Sequence, residues 1–217
     1  MRNLELKARC AGEAALRRLA ARAGECGAAY LRTMGQRDTY FVTPRDRLKL
    51  REWWREPAGG PLAGASPTPC AAPATDGPTV GREDGEAAET GAVLVAYARA
   101  DTTDSRLSDY LLSPVSDAPT LREALSRTLG VRVVVEKRRV LYRYGRTRIH
   151  LDAVAGLGAF VELETVLADD ADDPNDGVAE GAAAEHRTVI ELLGLDRLPP
   201  VAVSYGDLLA AEQARRR

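Results

Sequence analysis

Four short segments of the chain alternate charged and aliphatic residues, at residues 4–7, 47–51, 146–152 and 160–164. Because a β-strand turns successive side chains to opposite faces, each segment would carry its charges on one face and its Leu, Ile or Val residues on the other. Unpaired charges are costly in a dry core. The pattern therefore predicts strands whose aliphatic face packs beneath helices and whose charged face meets solvent or a charged ligand.

The charges of this face separate by sign. The basic residues are Lys7, Arg47, Lys49, Arg51, Arg99, Lys137, Arg139 and Arg148, and the acidic residues are Glu5, Glu162, Glu164 and Asp152. One such strand alone is also typical of a solvated outer face. Together they suit a polyphosphate, whose oxygens Lys and Arg bind, with one or two divalent ions such as Mg²⁺ bound by the carboxylates.

Composition narrows the class of protein. The chain has 217 residues, with 30 Lys and Arg against 32 Asp and Glu, so its net charge of −2 gives no argument for binding to nucleic acid or to an acidic membrane. Cys10, Cys26 and Cys70 lack CxxC spacing, which argues against a disulfide framework or a zinc cluster. With no apolar stretch long enough to span a bilayer, a cytoplasmic protein is expected.

Periodicity and turn residues predict an α+β protein with an antiparallel, closed or nearly closed sheet and helices outside it. The predicted strands lie in the segments above and at 38–42, 92–99, 131–144 and 160–167. Helices are predicted within 11–31 and at 120–129, 182–193 and 205–214. Residues 57–91 are rich in Ala, Gly, Pro and acidic residues. They are expected to form a disordered insertion in a single domain spanning residues 1–217.

A few isolated residues invite separate interpretation. His150 alternates with Arg148 and Asp152, so it is expected on the charged face. His186, beside Glu185 and Arg187 in a predicted helix, is expected at the surface. Trp53 and Trp54 follow a predicted strand and are expected to cap an open end of the barrel, with base stacking as the alternative.

The order of these segments resembles the CYTH superfamily, the triphosphate tunnel metalloenzymes, which include class IV adenylate cyclases and thiamine triphosphatases. Residues 5–7 are similar to the end of the N-terminal ExExK signature, although Asn3 stands in place of its first Glu. The resemblance spans nearly the whole chain apart from the insertion. The other matching segments are residues 36–41, 47–52, 97–99, 136–139, 148–152 and 158–164.

The resemblance implies an eight-stranded tunnel that binds a triphosphate lengthwise, together with Mg²⁺ or Mn²⁺. It implies metal binding by Glu5, Glu162 and Glu164, with Asp152 near the metal, and leaves the number of ions open because of Asn3. The catalytic residues that it implies are Lys7, Lys49 and Asp152. It is also consistent with a homodimer. The residues that it implies for phosphate binding are Lys7, Arg47, Lys49, Arg51, Arg99, Lys137, Arg139 and Arg148.

Three functions are compatible with this site. The first is a phosphorus-oxygen lyase that converts ATP to cyclic AMP and pyrophosphate, favoured because residues 36–41 and 148–152 look more like the cyclase branch. The second is a phosphohydrolase that acts on inorganic triphosphate or on an organic one such as thiamine triphosphate. The third is a module that binds polyphosphate without turnover, favoured by Asn3 in place of a carboxylate.

Overall fold

The computed structural model of the chain describes residues 2–56, 90–98, 106–167 and 177–216. Its helices are α1 (Glu13–Glu25), α2 (Ala118–Leu129), α3 (Gly177–Leu193) and α4 (Tyr205–Arg215), with a short 3-10 helix at Leu195–Arg197. No helix in these residues is long and apolar enough to cross a membrane. The strands are β1 (Arg2–Cys10), β2 (Ala29–Phe41), β3 (Arg47–Arg55), β4 (Thr90–Ala98), β5 (Arg106–Pro114), β6 (Val131–Tyr144), β7 (Thr147–Val154) and β8 (Gly158–Leu167).

The strands form an antiparallel barrel in the order β1-β5-β4-β3-β2-β6-β7-β8. One side of β1 pairs with β8 from Arg2–Leu167 to Cys10–Ala159, and the other side closes the ring by pairing with β5. The predicted α+β fold with an eight-stranded antiparallel barrel is therefore confirmed. The sequence pattern does not predict β5, because its charged and apolar residues do not alternate regularly and Leu111 and Leu112 are adjacent.

Turn residues determine where several strands begin and end. β6 and β7 are joined at Gly145, which has φ of +54°, a conformation that suits glycine in a tight hairpin. After α1 the chain turns at Gly27, where φ is +86°, and enters β2 at Ala29. The helical stretch predicted over residues 11–31 is therefore too long, since its last residues form the start of β2.

The aliphatic sides of the strands pack beneath helices on the outside of the barrel. Leu151 on β7 and Leu163 on β8 are buried in one cluster with Leu16 of α1 and Val189 of α3. Complete burial of a side chain such as Leu151 contributes about 2 kcal/mol to stability. A second cluster forms where Leu50 of β3 packs beneath α2. The outward face of the strands thus supplies most of the hydrophobic core.

The segment predicted to be a disordered insertion, residues 57–91, falls almost entirely outside the described residues. Its last two residues, Thr90 and Gly91, belong to β4. Cys70 also lies outside the described residues, while Cys10 and Cys26 are free thiols.

His186 is buried, with 1% of its surface exposed, so the predicted surface position is wrong. Its Nδ1 lies 2.7 Å from the hydroxyl of Thr165, which projects from the outer face of β8. Thr165 in turn is hydrogen-bonded to Thr147 at 2.8 Å, and Glu185 accepts a hydrogen bond from Thr147. These partners make burial of the imidazole tolerable and attach α3 to the barrel.

We expect the stability of the protein to fall in mild acid because of its buried histidines. Burial lowers the pKa of His186 to about 4, whereas an unfolded histidine has a pKa of about 6.5. The unfolded state therefore binds more protons, and the free energy of unfolding should fall by about 2–3 kcal/mol between about pH 7 and pH 4.5. Burial, reinforced by Arg139, also lowers the pKa of His150, which contributes with the same sign.

Urea denaturation at a series of pH values tests this expectation. His186→Asn keeps a polar group near Thr165 but does not titrate in this range, so its stability should depend less steeply on pH. An unchanged pH dependence in this variant would show that His186 does not carry the effect.

Candidate functional site

The charged sides of the strands face the interior of the barrel and contact one another there. Arg139 on β6 reaches past β7 to Glu162 on β8, with Nη2 and Oε2 2.7 Å apart. Lys7 on β1 lies 3.0 Å from the same carboxylate. The predicted charged face is therefore an internal surface rather than a solvated outer one.

Two Lys-Arg pairs, Lys49 with Arg51 on β3 and Lys137 with Arg139 on β6, dominate one side of this interior. In each pair the two cations are separated by one residue and so share a face of their strand. In each, a single buried aspartate on the neighbouring strand accepts hydrogen bonds from both cations. The sequence analysis predicts that the four cations face the site, but it does not predict that an aspartate on the neighbouring strand binds each pair.

Asp38 on β2 anchors the first pair. It accepts hydrogen bonds from Arg51 Nε at 2.8 Å, Arg51 Nη2 at 2.9 Å and Lys49 Nζ at 3.1 Å. Burial alone would raise the pKa of Asp38, but the charges of Arg51 and Lys49 hold it well below the usual range for an aspartate. The carboxylate thus remains ionised and fixes both cations.

Asp152 on β7 anchors the second pair in the same way. It accepts hydrogen bonds from Arg139 Nε and Nη2, both at 2.7 Å, and from Lys137 Nζ at 3.2 Å. Although burial opposes ionisation, Arg139 and Lys137 lower the pKa of Asp152 to about 2. The hydroxyl of Tyr205 donates a further hydrogen bond to Asp152 at 3.1 Å.

Three glutamates occupy the adjacent strands β8 and β1. Glu5 stands directly opposite Glu164 in the register of these strands. Glu162 is two residues before Glu164 on β8 and therefore lies on the same face of the strand. Burial opposes ionisation of Glu162. The charge of Lys7, with smaller contributions from His150, Lys137 and Arg139, nevertheless holds the pKa of Glu162 well below the usual range for a glutamate. Glu164 receives a hydrogen bond from Arg148 Nη1 at 3.3 Å and another from the Asn3 amide.

Within the described ranges, no three His, Cys, Asp or Glu side chains lie close enough together to hold a metal ion. The donor set nevertheless fits a hard divalent cation, which prefers oxygen ligands. Glu5 and Glu164 form a like-charged cross-strand pair, which a cation bound between them would stabilise. Beside Glu164, the Oδ1 atom of Asn3 is buried without a hydrogen-bond partner. These oxygens could turn towards a bound ion.

The segment that leads into α4 closes one end of the interior. Lys7 Nζ donates a hydrogen bond to the carbonyl of Val203 at 3.1 Å and lies 4.3 Å from the centre of the Tyr205 ring. Arg47, a predicted phosphate ligand, forms an ion pair with Asp207 of α4 at 3.0 Å. Arg47 therefore continues the row of Lys49 and Arg51 along β3 towards α4, and it lies over the same Tyr97 ring as Lys49.

A narrow cleft, with room for little more than one water molecule, adjoins the charged interior. Arg51, Arg139, Arg148, His150 and Glu164 all contribute to its walls. Predicted site residues from four strands therefore surround one space.

Most of the predicted site residues come together, and some site residues were not predicted. Arg99 lies outside the described residues. Asp38 shares its face of β2 with Gln36 and Tyr40. This two-residue spacing of polar side chains along a predicted strand is a sequence signal that could have identified Asp38 as a residue of the charged face. Tyr205 gives no such signal, because its contact depends on how the chain returns over the end of the barrel.

We expect replacement of Asp38 to destabilise the fold strongly. Asp38→Asn removes the charge of the carboxylate that binds both Lys49 and Arg51 in the buried interior, which should lower the free energy of unfolding by about 3 kcal/mol. Glu136→Gln is the matched control, because it breaks an ion pair with Arg37 in which the two side chains are 52% and 38% exposed. This control should cost less than about 1 kcal/mol. Equal losses in chemical denaturation would contradict the anchoring role of Asp38.

Comparison with known proteins places the fold in a family. The CYTH domain model matches residues 1–188. No match was found among curated proteins. Among solved structures, a protein from Pyrococcus horikoshii is similar with a TM-score of 0.63 and 19% identity, covering 95% of this chain and 98% of the other. A conserved hypothetical protein from Pyrococcus furiosus gives a TM-score of 0.63 and 17% identity, with coverage of 95% and 99%.

A third similar structure is that of a candidate adenylate cyclase from Vibrio parahaemolyticus, with a TM-score of 0.55 and 16% identity, covering 96% of this chain and 97% of the other. At these levels of identity the similarities concern the fold alone. The family model, by contrast, spans most of the 217 residues and includes every strand of the barrel. The chain therefore belongs to the CYTH domain family.

Proposed function

We propose that the barrel interior binds a linear triphosphate and that the protein is a metal-dependent enzyme acting on it. The observation that carries the proposal is the presence of the two Lys-Arg pairs on one internal surface, each held rigidly by a buried aspartate. Arg and Lys are the residues that bind phosphoryl oxygens. Cations fixed before the substrate arrives stabilise developing negative charge without reorganising.

The reaction that we favour is cyclisation of a nucleoside triphosphate, in which the 3'-hydroxyl attacks the α-phosphorus and pyrophosphate leaves. Lys49, Lys137 and their arginine neighbours would orient the phosphates in line for this attack and stabilise the charge that develops on the phosphoryl oxygens. Lys7, held between Glu162 and the Val203 carbonyl, would bind a further phosphate oxygen. Membership in the CYTH family and the resemblance of residues 36–41 and 148–152 of this chain to the cyclase branch support this choice.

Glu5, Glu162 and Glu164 would hold Mg²⁺ or Mn²⁺. When bound, such an ion neutralises charge on the phosphate oxygens. Asp152 was predicted to be both a metal ligand and a catalytic residue. Its hydrogen bonds with Arg139, Lys137 and Tyr205 support a different role, that of positioning the second Lys-Arg pair.

A product assay distinguishes the three functions. The protein is incubated with ATP and Mg²⁺ or Mn²⁺, and cyclic AMP, pyrophosphate and orthophosphate are measured. Cyclic AMP with pyrophosphate supports the lyase, whereas orthophosphate without cyclic AMP supports a phosphohydrolase. Binding of ATP without any product supports a non-catalytic module.

Lys49→Met should reduce kcat/KM for metal-dependent turnover by about 100-fold, because it removes a fixed charge from the phosphate-binding surface. Glu162→Ala should also abolish most of the turnover by removing a metal ligand. Arg37→Met is the control, since Arg37 lies on the outer face of the adjacent strand and should leave turnover unchanged. If both interior variants retained wild-type activity, the interior would not be the active site.

Asn3 offers a separate test of the metal site. Asn3→Asp adds a third carboxylate beside Glu5 and Glu164, so like-charge repulsion should lower the thermal stability of the metal-free protein. Mn²⁺ should then raise the melting temperature of the variant more than that of the wild type, because ligand binding to the folded state stabilises it. The converse substitution, Glu164→Gln, should weaken the response to Mn²⁺. A response to Mn²⁺ that is the same in all three proteins would place the metal elsewhere.

A further inference from the structure

A buried row of hydrogen-bonded side chains lies on the outer face of β7 and β8 and continues into α3. This outer hydrogen-bond chain consists of Glu185, Thr147, Thr165 and His186. Both threonines are completely buried, and only 1% of His186 is exposed. Polar groups at this depth are stable only when each is hydrogen-bonded, so the chain holds one defined geometry.

The carboxylate at one end determines the direction of every hydrogen bond in the chain. Glu185 can only accept, so the Thr147 hydroxyl donates its one proton to Glu185 Oε1 at 2.6 Å. Thr165 must then donate to Thr147, at 2.8 Å, and accept from the Nδ1–H group of His186, at 2.7 Å. The chain therefore specifies the tautomer of His186 and the orientation of both hydroxyls.

Glu185 also holds the hairpin that joins β6 and β7. It accepts a hydrogen bond from the backbone N–H of Arg146 at 2.9 Å. The carboxylate packs so closely over Gly145 that a Cβ atom on this residue would overlap it. α3 thus lies directly against the turn and fixes the point at which β7 begins.

Each threonine of the chain is a sequence neighbour of a predicted site residue. Arg148 follows Thr147, and Glu164 precedes Thr165, so both neighbours project to the opposite, inner face. The Thr147–Thr165 and Arg148–Glu164 pairs are consecutive in the register of β7 and β8. On its other side, Glu164 stands opposite Glu5 of β1. The outer chain therefore holds the strand segments from which Arg148 and Glu164 enter the interior.

These segments are at the ends of their strands. β7 begins at Thr147, and β8 ends at Leu167, shortly after Thr165. Strand ends open more readily than strand centres. Hydrogen bonds that join Thr147 to Thr165, and both of them to α3, suppress this opening and so restrict the movement of the inward residues beside them.

We propose that the outer hydrogen-bond chain positions the metal site, and that its members act through Glu164 and Arg148 without contacting the ligand. The inference rests on the proposed function, in which Glu164 binds a divalent ion together with Glu5. Groups that orient the ligands of a metal ion typically contribute about 10- to 100-fold to its affinity. We expect the lower end of this range, because the chain acts on Glu164 through the backbone.

Titration calorimetry of the full-length protein with Mn²⁺ alone tests the proposal. Thr147→Val preserves the size of the side chain but breaks the link between Glu185 and Thr165, so it should weaken the binding of Mn²⁺ by about tenfold. Thr147→Ser retains the hydroxyl and should bind Mn²⁺ as the wild type does. Thermal unfolding of each variant establishes that it remains folded at the temperature of titration.

Val189→Ala is the matched control. Val189 lies on α3, three residues after His186, and is buried in the hydrophobic cluster between this helix and the barrel. Its replacement should lower the melting temperature by leaving a small cavity. The affinity for Mn²⁺ should not change, because the outer hydrogen-bond chain is intact in this variant.

The metal site and its positioning can fail separately. If Thr147→Val binds Mn²⁺ as well as the wild type does while Glu164→Gln binds it weakly, the positioning role is wrong and the metal site stands. Equal weakening in Thr147→Val and Val189→Ala would also overturn the positioning role, since packing of α3 would then explain both. If the wild type does not bind Mn²⁺, the proposed metal site fails and the inference fails with it. Weak binding by Thr147→Val, with wild-type binding by Thr147→Ser and Val189→Ala, supports both.

Discussion

The interior of the barrel depends on the pairing of buried cations with buried carboxylates. Isolated charges cannot be removed from water without a large penalty, so each buried Lys or Arg requires a partner close by. Asp38 and Asp152 supply this partner from the strands next to the two Lys-Arg pairs. Without these two aspartates, the surface that we propose for phosphate binding would be unstable in the absence of ligand.

The same pairing leaves the interior able to accept a ligand. Each aspartate binds the Nε and Nη2 atoms of its arginine, so the position of the guanidinium is set before any anion arrives. The glutamates of β1 and β8 lie on the neighbouring part of the wall, where Glu162 contacts Arg139 of the second Lys-Arg pair. Acidic and basic functions thus lie side by side, which suits a ligand composed of phosphate groups with a metal ion.

Much of the barrel could be predicted from local patterns. Alternation of charged and aliphatic residues identified the faces of β1, β3, β7 and β8, because the direction of a strand side chain depends only on its position along the strand. The helices followed from apolar periodicity. β5 escaped prediction because Leu111 and Leu112 break the alternation, and the burial of His186 escaped because it depends on a hydroxyl from a distant strand.

The sequence by itself determined which residues would form a charged surface and which would form the core, since both follow from a two-residue period within short segments. Only the tertiary structure decided which charges meet. Asn3 contacts Glu164 across 161 residues, and Tyr205 reaches Asp152 across 53, because closure of the barrel and the return of α4 bring them together.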